Sequence, residues 1–99
     1  MTTMILLTTA VSAATTRAYC NKSEYLQFAG SVGASLGVNP RDASVGAFMA
    51  FVYTGKCFFL DKEIEYTLIK KISDTPMGSV WEAINRANNE TIYVGRSDK

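Results

Sequence analysis

Ninety-nine residues, 47% hydrophobic and 19% charged, make one globular domain and leave no chain for a second core. Ten basic residues against nine acidic ones give a formal charge of +1, and the cations are scattered apart from Lys70-Lys71, which argues against nucleic acid as a partner. Histidine is absent, so the usual proton shuttle, the Ser-His and Cys-His nucleophiles and the commonest metal ligand are missing, and two cysteines alone do not complete a zinc site. No catalytic residue, cofactor site or metal site is therefore expected, and the protein is read as a non-enzyme.

The chain opens with an apolar run from Met4 to about Ala14 that contains the small-residue pattern Val11-Ser12-Ala13. That pattern is signal-like, although no positive charge precedes it and Arg17 is the first basic residue. Two readings stay open. Residues 1–18 are a secretory signal, cleaved after Ala13 or Ala18 and leaving a single helical domain over 19–99, or the segment is a packed first helix. Next, Asn21-Lys22-Ser23-Glu24 has the form of a capping box. Tyr25, Phe28, Ala29, Val32 and Leu36 share one helical face, and Gly37 offers a left-handed stop.

After the connection Val38-Asn39, Pro40 stands at a first helical position with Asn39 as cap. From Pro40 to about Thr54 the apolar residues surround most of the axis, which predicts a buried central helix. Its uninterrupted apolar stretch, Val45 to Val52, is far shorter than the ~20 residues a bilayer span requires. A strand over Phe51–Leu60 is the alternative, with Gly55 favouring a helix end. Asp61, Glu63 and Glu65 at the front and Lys70-Lys71 at the back suit a third helix with Ile64, Leu68, Ile69 and Ile72 inside. Thr75-Pro76 ends it, and Met77, Val80, Trp81, Ile84 and Ala87 recur at helical spacing in a fourth. The tail "TIYVGRSDK" is either a short strand or an extension.

These elements give an all-α fold, a compact four-helix domain built on an antiparallel helical hairpin. A two-residue connection forces the first two helices side by side, so Cys20, before the first, comes near Cys57, after the second. A Cys20–Cys57 disulfide is expected across the open end of the hairpin, with Tyr19 and Phe58 packed near it; two free thiols are the alternative. Such a bond belongs to an oxidising compartment, in agreement with the signal-like start. The acidic group Asp61, Glu63 and Glu65 reads as a solvated helix start rather than as an acid pair.

Three resemblances bear on function. The stretches "AYC", "GAFMAFVYTGKC", "IEYTLIKKISDTP" and "GSVWEAINRA" resemble small periplasmic immunity proteins of the resident-associated-protein (Rap/Tai) type. Those proteins neutralise type VI secretion cell-wall amidases, so the resemblance implies a helical inhibitor whose partner is a secreted hydrolase. HdeA-type periplasmic acid chaperones are similar in being small, helical and held by one disulfide. They would imply that acid opens the buried second helix, with Asp42, Asp61 and Glu24 as the carboxylates protonated. Finally, "YTLIKKISDTPMGSVWEAINRANNETIYVGR" faintly resembles the first three strands of a protein kinase, but residues 73–78 lack the glycines that admit phosphates, and it is set aside. The expectation is a periplasmic or secreted binding protein that blocks a protein partner. A cytoplasmic interaction protein of phage or plasmid type is the alternative, and a homodimer stays open.

Overall fold

The computed structural model describes residues 14–97. In chain order these form β1 (Ala14–Cys20), α1 (Ser23–Leu36), α2 (Pro40–Tyr53), β2 (Cys57–Thr75), β3 (Gly78–Asn85) and β4 (Thr91–Arg96). The expected all-α, four-helix domain is therefore corrected to a mixed α/β fold: an antiparallel four-stranded sheet, closed into a small barrel, carries a two-helix hairpin. No helix among the described residues is long and apolar enough to cross a membrane.

The hairpin itself forms where the spacing places it. Gly37 ends α1 in the left-handed region (φ 68°), donating to Ala34 O, while Val38 N donates to Gly33 O at 3.1 Å. Asn39 Oδ1 accepts from Arg41 N at 2.9 Å and from Asp42 N at 3.1 Å, and Pro40 opens α2. Gly33 lets the helices cross closely, because a Cβ there would run into the Pro40 backbone. The rings of Tyr25 and Phe51, 4.9 Å apart, close the contact further along. The expected capping box does not form. Lys22 is the N-cap of α1 without a side-chain bond, and Asn21 N instead donates to Lys56 O at 3.0 Å, joining the start of α1 to the end of α2.

Beyond the hairpin the two expected helices are strands. β2 runs for 19 residues, well past the usual ~3–10, and serves two partners. Its first half pairs with β1, from Cys57 opposite Cys20 to Tyr66 opposite Ala14, and its second half pairs with β3, from Tyr66 opposite Asn85 to Thr75 opposite Gly78. β3 then pairs with β4 over six positions, so the unassigned tail is a strand in the sheet. A single pair, Cys20 opposite Tyr93, joins β4 back to β1 and closes the barrel.

The reason is a coincidence of periods. Ile64, Leu68 and Ile72 are four apart, and four residues are two full strand repeats as well as about one helical turn. Tyr66 decides between them: it lies two from Ile64 and Leu68, is buried, and is flanked by exposed Glu65 and half-buried Thr67. In β3 the inward set is likewise Trp81, Ala83 and Asn85, at spacings of two. Thr75-Pro76 turns the chain rather than starting a helix, since Thr75 Oγ1 donates to Gly78 O at 2.9 Å and accepts from Met77 N at 3.2 Å. Asp61, Glu63 and Glu65 consequently lie on β2 and not at a helix start, and Glu63 Oε1 accepts from Thr15 Oγ1 across the sheet at 3.2 Å.

The core is small. Tyr66, Ala83, Ile92 and Val94 fill the barrel, ringed by Ala14, Tyr19, Ile64, Leu68 and Trp81. Cys20 and Cys57 are both fully buried and disulfide-bonded, with Cα atoms 3.9 Å apart, and the Tyr19 and Phe58 rings pack at 5.0 Å beside them. The expected bond is thus present, but it crosses two paired strands rather than the mouth of a purely helical hairpin.

Two substitutions test this architecture. The bond closes a loop of 37 residues, for which the chain-entropy model gives about 4 kcal/mol. Cys20→Ser/Cys57→Ser should therefore lower the melting temperature, followed by circular dichroism, by at least about 10 °C. Gly30 packs against the turn between β2 and β3, where an added Cβ would lie 2.8 Å from Thr75 Cβ. Thr75 is fixed by its turn bonds, so Gly30→Ala should destabilise by about 1–3 kcal/mol in denaturant titration despite the better helix propensity of alanine.

Candidate functional site

The helix that composition marks as buried is not. Among its residues α2 has no buried one, and Tyr53 is 90% exposed, Val45 57% and Met49 39%. These three stand four apart, one above another on a single face, and Phe59 of β2 is exposed as well at 59%. The correction has a geometric cause. Among the described residues α2 rests chiefly on α1 and on β2, which leaves the remaining arc of its apolar surface open. An exposed set of large apolar side chains on one face is the usual mark of an interaction surface.

The same helix forms one wall of a cleft of about 480 Å³. Val45, Phe48 and Met49 face it from α2, Leu26 and Ala29 from α1, and Phe59 and Val80 from the sheet. Its far end lies at the seam between β1 and β4. After the pair Cys20–Tyr93 those strands make no further pairing, so Thr16 and Ala18 of β1 and Gly95 and Arg96 of β4 border an opening. A second cleft of about 430 Å³, bordered by Ala14, Thr15 and Tyr66, shares Gly95, Arg96 and Ser97 with the first.

Polar groups at this seam are few and tied down. Thr16 Oγ1 accepts from Ala18 N at 3.1 Å and donates to Ala18 O at 3.0 Å, which occupies the β1 backbone where it borders the cleft. Trp81 Nε1 donates to Ser79 Oγ at 2.9 Å, and Ser79 Oγ donates to Arg96 O at 3.3 Å. Arg96 is the one charged side chain that borders either cleft. It follows Ile92 and Val94 at strand spacing, turning to the barrel side, and its Nη1 donates to Tyr66 Oη at 3.3 Å. No carboxylate among the described residues is paired with it, the ion pair present there being Lys71 with Asp74 at 3.1 Å on the surface.

Of the residues singled out in the sequence, Cys20 and Cys57 come together, and they do so as structural support beneath the seam. The signal-like residues 1–13 lie outside the described ones, while Ala14–Ala18 belong to β1. Cleavage after Ala18 would remove five of the seven residues of that strand; cleavage after Ala13 would leave it whole. The cleft residues were not legible as a group, because six elements and the turn between β2 and β3 contribute to them. Arg96 carried the one local signal, a cation two residues after the apolar run Ile92-Tyr93-Val94. Comparison with protein-family models, with curated proteins and with solved structures gives no match for this chain.

Proposed function

We propose that this is a periplasmic or secreted binding protein that acts without catalysis, by covering the working surface of a protein partner, with a cell-wall hydrolase as the partner class. The observation that carries the reading is the outward apolar face of α2, Val45, Met49 and Tyr53, continued by Phe59. Leaving large apolar side chains in water forgoes roughly 1.5–3 kcal/mol for each that could be fully buried, so a partner that covers them gains that driving force. Tyr53, the most exposed, combines a flat apolar ring with a hydroxyl, a side chain enriched among interface anchors. The disulfide supports an oxidising compartment. The outward face of α2 favours this reading over the acid-chaperone alternative, which supposes a helix that acid must expose.

Two measurements check this reading. Intact mass of the protein made in its native host should correspond to a chain that begins at Ala14; retention of residues 1–13 would place it instead with the cytoplasmic interaction proteins. Added to a periplasmic extract, the purified protein should lower peptidoglycan turnover. Tyr53→Glu, at a site where nothing in the fold depends on the ring, should reduce that inhibition at least about tenfold, in line with losing an interface anchor of about 2 kcal/mol. Unchanged turnover at saturating protein would overturn the hydrolase as partner.

A further inference from the structure

We propose that the cleft between the helical hairpin and the sheet at the β1–β4 seam is a binding site for an acyl-chain carboxylate, with the carboxylate at Arg96, on the wall it shares with the second cleft, and the hydrocarbon chain between the hairpin and the sheet. The partner reading shares Val45, Met49 and Phe59 with this cleft, whereas Tyr53 belongs to that reading alone and Gly95 and Arg96 to this one.

Three observations lead to it. The first is size and lining: about 480 Å³ is within the ~300–1,000 Å³ of ligand sites, and the walls from α1, α2 and β3 are aliphatic or aromatic at Leu26, Val45, Phe48, Met49 and Val80. The second is charge. Among the described residues the half-buried Arg96 guanidinium has no anionic partner, and a carboxylate offers it paired, charge-assisted hydrogen bonds. Tyr66 Oη accepts from Arg96 through one nitrogen, which orients the guanidinium and leaves its other donors for a ligand. The third is that the β1 backbone is occupied at Ala18, whose N–H and C=O both bond Thr16 Oγ1. A peptide laid in the seam would find no ladder partner at that residue for its own backbone groups, whereas a hydrocarbon chain carries none to satisfy.

Gly95 makes the site testable without harming the fold. It borders both clefts, and an added Cβ there meets no atom within 4 Å. Trp81 is the single tryptophan and bonds Ser79 at the cleft wall, so its fluorescence reports occupancy. The experiment titrates the oxidised protein with laurate, below its micelle concentration, and with dodecyltrimethylammonium as a control with the same chain and the opposite charge. Laurate should saturate one site and bind at least about tenfold more tightly than the cation, as expected for one charge-assisted contact. Arg96→Gln should erase that preference, and Gly95→Leu should abolish laurate binding while leaving the melting temperature of the protein in place. Equal binding of the two amphiphiles, no saturable laurate site, or a Gly95→Leu protein that binds like the parent would overturn the proposal. So would tighter binding, in competition with laurate, by an apolar hexapeptide with a free C-terminus. The two ideas fail separately at the residues they do not share, since Gly95→Leu and Arg96→Gln report on the cleft and Tyr53→Glu on the outer face.

Discussion

Closure of the sheet depends on Cys20. This residue has β2 on one side, through Cys57, and β4 on the other, through Tyr93, and among the described residues the second of these is the one pairing that joins the first strand to the last. A four-stranded sheet holds few side chains inside, here chiefly Tyr66, Ala83, Ile92 and Val94. So small an interior supplies little hydrophobic free energy, and covalent support takes over part of its role. The disulfide is placed where that support has most effect, in the one stretch at which β1 is flanked by a strand on both sides. From there Asn21 and Lys56 lead directly into the two helices, so the position of the hairpin over the sheet is set by the same few residues.

Among the described residues the rest of the seam is left unpaired and the outer helix uncovered. Both follow from the limited number of elements. α1 meets all four strands and buries Ala29, Gly30 and Gly33, whereas α2 has α1 and β2 to pack against and buries nothing completely. The small residues of α1 permit close approach, and the large ones of α2 stand off and enclose space. An apolar cleft and an apolar outer face thus adjoin along one helix and share Val45 and Met49.

Local signals in the sequence placed α1, α2, their connection and the cysteine bridge, because each rests on neighbours a few residues apart: Asn39 before Pro40, Gly37 after Leu36, and a connection too short for anything but antiparallel helices. They failed over β2 and β3. Ile64, Leu68 and Ile72 fit both periods, and the acidic start and basic end of 61–71 imitate a helix with a favourable dipole. The β-branched residues Ile64, Thr67, Ile69 and Ile72 are the local signal that favours a strand. Burial of α2 was inferred from composition alone, yet whether an apolar helix is covered depends on what else the chain has to cover it. The candidate site could not be read from the sequence for a related reason: Leu26, Val45, Phe59 and Arg96 are brought together only by the sheet topology.

The bridge also determines covalent topology. Residues 20 and 57 close a ring that contains both helices and nothing of β3 or β4. A protease that cut the connection at Val38-Asn39 would leave two fragments still joined through sulfur, each helix anchored at the end next to the sheet. The hairpin can therefore open at its tip, or be nicked there, without any strand losing its place. Local opening of the helices and global unfolding of the barrel are in this sense separable events.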